Sequence, residues 1–217
     1  MNIFGLDEDP KKAPLQMVDK HIVKMPTETC QMLHTNVLHS LFVSAHRREP
    51  SLRELKVFHQ ESHYSYLMKP AMLNHPSTIW ARENKNNAKW LYLHGIALCD
   101  EYTHRYGKVH GTLSRIKDVA EFHESGDWSK ATPIRIAMAD EYRLCEKEFS
   151  QKNPNWVGWD FVIASYRKYY QEAKYKFANW KGRETPSWFD EKYGDKLAEH
   201  LTQKLIKIAL KYREQLG

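Results

Sequence analysis

The residues whose types and spacing can do chemistry lie near the start of the chain. His21, Lys24, Glu28, Gln31 and Thr35 step by three and four. At 100° per residue they share an arc of roughly 80° on one helix face. A carboxylate with a cation one turn away can serve as acid, base or electrostatic stabiliser. Lys24 stands one turn from Glu28, and His21 stands two. A solvated face is usually Lys and Glu, whereas this one mixes acid, base and amide. The same spacing also suits a structural ion pair along the helix, and spacing alone leaves both readings open.

Other chemistries fit this stretch less well. Asp19, His21, Glu28 and His34 are the right types for a metal site, but no His-Glu-x-x-His or Glu-x-x-His unit occurs. Asp19 and His21 are two apart and do not share a face. Neither a metal nor a cofactor is expected. No Gly-x-Ser-x-Gly elbow is present for a serine nucleophile. Cys30, Cys99 and Cys145 are far apart, each within a helical pattern, and read as reduced thiols of a cytoplasmic protein.

The stretch must be positioned by helices. One is expected from about residue 19 to about 46. Ile22, Cys30, Leu33, Val37 and Leu41 form its apolar side, with Asp19 as N-cap and Pro26 as a source of a kink. Residues 51–74 read as a less regular excursion with one possible helical turn at 51–55. A second helix is expected from His75-Pro76-Ser77-Thr78, capped by Ser77 or Thr78, to Tyr106, with Gly107 at its C′ position. It is apolar nearly all round, so it belongs at the centre of the fold. Its polar members need company, and His94 or Glu101 is expected to share a cavity with His21 and Glu28.

Shorter helices are expected from Thr112 or Ser114 to about His123 and within 134–150, and a Tyr- and Lys-rich one from about Trp159 to Trp180. Leu197, Leu201, Leu205, Ile208 and Tyr212 mark an amphipathic helix at the end. The expected fold is all-α. A single helical domain over residues 1–189 is built on the buried central helix, and residues 190–217 form a C-terminal amphipathic helical appendage.

With 217 residues and 41% hydrophobic residues, the chain has enough apolar surface for a packed core and too much for disorder. No apolar run approaches the roughly 18 residues of a membrane span. The first ten residues carry three acids and no basic region, unlike a signal or transit peptide. A net charge of +6, with 7 Trp and 12 Tyr often beside Lys or Arg, permits a polyanionic partner and suits stacking on bases. The same aromatics also suit an ordinary helical core.

The quoted motifs resemble those of the pyrimidine-dimer DNA glycosylase superfamily. The likeness is carried by Asn2-Ile3-Phe4-Gly5-Leu6, by Asp19-x-His21 followed seven residues later by Glu28, by the segment from His75 to about Lys108, and by Thr185-Pro186-Ser187-Trp188-Phe189. The chain is also similar to uncharacterised phage proteins that share the Asp-Glu-Tyr-Thr-x-Arg-Tyr-Gly-Lys-x-His segment at residues 100–110.

The resemblance implies a DNA-binding enzyme that cleaves the N-glycosidic bond of a damaged or modified pyrimidine in duplex DNA, with possible lyase action at the abasic site. It implies Glu28 as the catalytic carboxylate, supported by His21. The amine of Met1 would be the nucleophile, with Lys24 as a substitute only if buried. Lys108, Arg167, Lys168, Lys174, Lys181 and Arg183 would grip phosphates, and Trp188 would wedge or stack. The alternatives are a phage transferase or nucleotide-processing enzyme using the same pocket, or a non-catalytic DNA-binding or phage–host interaction protein.

Three features depart from the family pattern. The family's nucleophile is the amine of a threonine exposed by loss of the initiator methionine, whereas residue 2 here is Asn, which usually blocks that loss. Thr27 and Gln31 replace the arginines around the family's glutamate, and residues 47–73 and the tail after 190 have no counterpart there.

Overall fold

The structure is a computed structural model that describes residues 2–189 and 191–216, and it is all-α, with no strand among the described residues. Helix α1 spans Asp19–His46 and stops at Arg47, whose backbone is left-handed and whose N–H reaches Val43 O at 2.8 Å. Asp19 is not its cap. Val18 takes that place without a side-chain bond, and the Asp19 carboxylate points across to other elements.

Helix α2 (Leu52–Glu61) corrects the expected irregular excursion. Ser51 and Glu54 form a reciprocal capping box that closes its first turn. The expected central helix is two helices, α3 (Pro76–Glu83) and α4 (Lys85–Tyr106). Asn84 between them is extended, and its carboxamide oxygen accepts the N–H groups of Asn86 and Asn87 at 3.0 and 2.9 Å. An asparagine that satisfies two orphan donors starts a new helix more readily than it continues an old one. The cap of α3 is His75, not Ser77 or Thr78: its Nδ1 accepts the Ser77 N–H at 3.2 Å, with Pro76 in the first helical position. Gly107 closes α4 at φ +66°, as expected of a C′ glycine.

Helix α5 (Leu113–Lys117) is followed by a 3-10 turn at Ala120–His123. Residues 134–139 are not helical, and helix α6 spans Glu146–Lys152, with Cys145 exposed at its cap rather than inside a helix. Helix α7 (Gly158–Tyr169) runs on into a wide π turn at Tyr170–Lys174 and a 3-10 turn at Tyr175–Phe177. Helix α8 (Glu191–Leu216) carries Leu201, Leu205, Ile206, Ile208, Leu210 and Tyr212 exposed.

The core forms where α1 crosses α4, flanked by α3. Ile22, Met32, Leu33 and Leu38 from α1 meet Trp90, Leu91 and Leu98 from α4, with Trp80 of α3. Each such side chain contributes about 1.5–3 kcal/mol when fully buried. The N-terminal segment is part of this core, since Ile3, Phe4 and Leu6 are buried, and so are Tyr166 and Tyr170 at the end of α7. Charges are also buried. Arg105 donates to Glu101 at 2.6 Å and to Asp19 at 2.8 Å, and Arg183 donates to the other oxygen of Glu101 at 2.8 Å. Asp19 also accepts the Lys181 N–H at 3.0 Å, which fastens the segment after α7 to the start of α1.

Candidate active site

The polar stripe of α1 is largely covered, with Lys24 as its exposed member. Phe4 lies flat on His21, with ring centroids 4.1 Å apart. Gln31 donates to Lys69 O, and Thr35 exchanges hydrogen bonds with both the N–H and the C=O of Ala71. His34, one residue off the stripe, accepts the Met68 N–H at 2.8 Å. The N-terminal segment thus covers the first turns of the stripe and residues 68–71 cover the last. Glu28 sits between these two coverings.

The Glu28 side chain is 15% exposed. One of its oxygens accepts the backbone N–H of Asn2 at 3.1 Å, and the other pairs with the Lys24 ammonium at 2.8 Å. Asn2 is held from behind. Its carboxamide nitrogen donates to Ala137 O at 2.9 Å, and its oxygen accepts from the Tyr166 hydroxyl at 3.0 Å and from the Ile3 N–H at 2.8 Å. The second residue of the chain is therefore fixed with its main-chain nitrogen on a carboxylate. Met1 lies outside the described residues. Lys24 is 68% exposed, so it meets Glu28 as a surface charge partner and not as a buried amine.

His21 packs against the N-terminal segment. Its Nδ1 lies 2.6 Å from the Tyr170 hydroxyl, and its ring stacks on Phe4. Burial, then the charges of Lys174 and Lys24, lower its pKa to about 3, so the imidazole is neutral. Burial raises the Tyr170 hydroxyl's pKa well above its ordinary value, so a protonated hydroxyl and a neutral imidazole share this hydrogen bond. Seven residues along a helix is about 10 Å. At that separation His21 packs on Phe4, in the same segment whose Asn2 N–H meets Glu28.

Two further groups escaped the sequence reading. His75 feels Glu28: burial lowers its pKa and the carboxylate opposes that shift, which places the imidazole in the field of the site. Tyr170 was legible in principle, because Val162, Tyr166 and Tyr170 step by four and all three are buried. The central-helix candidates belong elsewhere. The His94 ring, buried and stacked on Trp90, bonds Pro10 O at 3.2 Å, and Glu101 is engaged by Arg105 and Arg183. Burial raises the Glu101 pKa, but hydrogen bonds from Arg183 and Arg105 outweigh it and leave the carboxyl below its ordinary value. Burial pushes the Cys30 and Cys99 thiols up to about 12 and about 11, which leaves them inert.

The cations expected on phosphates fall into two groups. Lys174 lies over the ring of Tyr169 at 4.5 Å beside the His21 cluster, where Lys20, which was not among those expected, lies over Phe177 at 4.6 Å. Lys168 is near Glu172 and the carbonyl of Glu141, Lys181 lies over Tyr106, and Lys108 is exposed. Arg183 is bound to Glu101, and Arg167 reaches inward to Leu6 O and Gln16. Trp188 donates its indole N–H to Gln16 at 2.6 Å with Arg167 across its face, so it is anchored in the fold.

The sequence profile of one family, pyrimidine dimer DNA glycosylase, matches residues 1–114, just over half of the chain. The chain belongs to the pyrimidine dimer DNA glycosylase family. The matched span contains Asn2, His21, Lys24, Glu28 and His75, whereas the supports Ala137, Tyr166 and Tyr170 lie beyond it. No curated protein and no solved structure matches the chain. Among the described residues no helix is long and apolar enough to cross a membrane, and no cluster of three or more His, Cys, Asp or Glu side chains is placed to hold a metal.

Proposed function

We propose that this DNA glycosylase cleaves the N-glycosidic bond of a damaged or modified pyrimidine in duplex DNA, with Glu28 as the catalytic carboxylate and the α-amine of the chain as the nucleophile. One observation carries the reading: the main-chain nitrogen of Asn2 lies 3.1 Å from the Glu28 carboxylate, in a segment whose side chain is fixed on the opposite side. If Met1 is kept, the amine is one residue beyond that nitrogen. If Met1 is lost, the Asn2 nitrogen is itself the amine. An α-amine has a reference pKa of about 7.7–8.0, against about 10.4 for lysine, so a useful fraction is unprotonated near neutral pH.

The amine attacks C1′ of the flipped nucleotide. A C1′–N bond to the protein forms as the glycosidic bond breaks, and the base leaves with the bonding pair and takes up a proton. The amine gives up a proton as the sugar ring opens at O4′, which is protonated in turn, and an imine results. Loss of a C2′ proton then expels the 3′ phosphate, which is the lyase step. Glu28 faces the positive charge that develops on the sugar and takes the amine's proton. Lys20, Lys174 and the tyrosines beside them supply cations and stacking faces next to the site.

Borohydride trapping on duplex DNA that carries damaged pyrimidines tests this. A covalent complex is expected, linked through the N-terminal peptide and lost in Glu28→Gln. Trapping that maps to Lys24 would move the nucleophile. Base release without trapping would make Glu28 an activator of water. Neither base release nor trapping on any damaged pyrimidine would sink the glycosylase reading.

A further inference from the structure

Helix α8 carries a run that the rest of the fold leaves in water. Every residue from 201 to 213 is exposed. Leu201, Leu205, Ile206, Ile208, Leu210 and Tyr212 are among them, each between 43% and 67% exposed. A helical run this short draws its stability from what its apolar side packs against. A contiguous apolar patch rimmed by polar groups marks an interaction surface. The run lies beyond residues 1–114, which the family profile matches, and the glycosylase reading gives it no task.

The residues sort by side. At 100° per residue, Ile208, Leu201, Tyr212 and Leu205 crowd together, and Ala209, Ile206 and Leu210 extend them to an arc of roughly 200°. Lys204, Lys207 and Lys211 share roughly 60° of what is left, next to Gln203. Arg213 stands at the end of the run, where its apolar stem can lie along the arc while the guanidinium reaches out. No Asp or Glu occurs from 201 to 213. The polar side is therefore purely cationic.

This pattern decides between partners. A second copy paired along a heptad seam would cover Leu201, Leu205, Ile208 and Tyr212. That seam falls short of the roughly three or four heptads of a sustained coiled coil, and it leaves Ile206 and Leu210 in water. DNA would engage the lysines and leave the apolar arc uncovered. An anionic lipid surface takes both sides at once. The wide apolar arc sinks into the boundary of head groups and acyl chains, the lysines are drawn to the phosphates, and a tyrosine suits that depth.

We propose that residues 201–213 of α8 bind the surface of an anionic phospholipid membrane, with Leu205, Ile206, Ile208 and Leu210 in the lipid and Lys204, Lys207 and Lys211 among the phosphates. The run is about 20 Å long, short of the hydrocarbon core of about 30 Å, so it lies in the plane of the surface and does not cross it. The enzyme is thereby held at a membrane through a part of the chain that contributes nothing to the Glu28 site.

Flotation of the full chain with vesicles tests the proposal, using phosphatidylcholine alone and phosphatidylcholine mixed with phosphatidylglycerol. Each lysine near an anionic surface is worth about fivefold in binding. The mixed vesicles are therefore expected to bind at least about tenfold more tightly than the neutral ones. Lys204→Gln, Lys207→Gln and Lys211→Gln together should remove that preference, and Leu205→Asp with Ile208→Asp should abolish binding to both kinds of vesicle. All five positions are exposed, so neither variant should change the melting temperature of the remaining helices. Base release without vesicles should match wild type in both, which keeps the result apart from the glycosylase reading. Vesicle binding that survives in the double aspartate variant would overturn the proposal, as would equal binding to both kinds of vesicle. No binding to either would overturn it too. In that case a dimer in sedimentation that the aspartates dissolve would assign the run to a second copy, and duplex affinity lost with the lysines would assign it to DNA.

Discussion

Replacing Glu101 by glutamine takes one charge out of the buried network and keeps its shape. Wild-type Arg105 has no exposed side-chain surface and touches two carboxylates, Glu101 at 2.6 Å and Asp19 at 2.8 Å. Arg183 holds the second oxygen of Glu101. In the Glu101→Gln variant the introduced carboxamide turns a donor toward one of the two guanidinium groups, and Arg105 keeps only Asp19 as a counter-charge. Breaking a buried pair by removing one partner costs about 3–5 kcal/mol. Because Asp19 remains, the expected loss is near the lower end, about 3 kcal/mol. For a chain of this size each kcal/mol is worth about 2–4 °C, so the melting temperature should fall by about 6–12 °C.

The difference must also depend on pH. Glu101 has a lowered pKa in the fold, so its contribution is full above the unfolded value of about 4.3 and is lost as pH falls through the folded value. Melting curves of both proteins by circular dichroism should therefore converge in acid. Base release per folded molecule should be unchanged near neutral pH. A variant that melts within about 1 °C of wild type, or one that folds normally and has lost activity, would refute the assignment of Glu101 to the scaffold.

Other outcomes are expected from the same geometry. Glu28→Gln should abolish base release while changing stability by less than about 1 kcal/mol, since its ion-pair partner Lys24 is largely exposed; this is read by pairing an oligonucleotide assay with a urea melt. Tyr170→Phe removes the hydroxyl that serves buried His21 and should cost about 1–3 kcal/mol in the same melt. Protonation of His21, whose folded pKa of about 3 lies below the ordinary 6.5, should destabilise the protein progressively as pH falls from about 6.5 toward 3, and His21→Phe should flatten that slope. Gly126→Ala would place a Cβ 2.1 Å from the carbonyl oxygen of Lys85, a main-chain atom that cannot turn aside, so the variant should show a clear drop in melting temperature. Ending the chain at residue 189 should leave the remaining helices melting within a few degrees of wild type if residues 190–217 are an appendage.

What was legible in the sequence is what local patterns carry. The apolar period fixed α1 to within a residue, and Gly107 marked the end of α4 because a left-handed turn needs that residue type. The break at Asn84 was hidden, since apolar periodicity runs through it and only the asparagine's side-chain geometry interrupts the helix. Asp19 shows the converse: its type and position suit a cap, yet a buried arginine 86 residues away claims the carboxylate. The pairing of Glu28 with Asn2 is a tertiary contact across 26 residues, and no spacing rule reports it. The importance of residues 68–75 was lost for the same reason. They have no periodic pattern, and their role is to lay main-chain groups on Gln31, His34 and Thr35.

The π turn at Tyr170–Lys174 bears on how this lineage can change in length. Such a turn holds one residue more than a regular helical turn, so it can release that residue without breaking the helix. Deleting Gln171, Glu172 or Ala173 would let α7 continue smoothly, but everything beyond would rotate by about 100°. Asn179 and Lys181 would then swing away from Asp19, and Trp180 would leave the carbonyl of Gln16. A relative that lacks this one residue must tie the segment after α7 somewhere other than the first turn of α1, and a gap at this point in a comparison of sequences should travel with a change at residue 19.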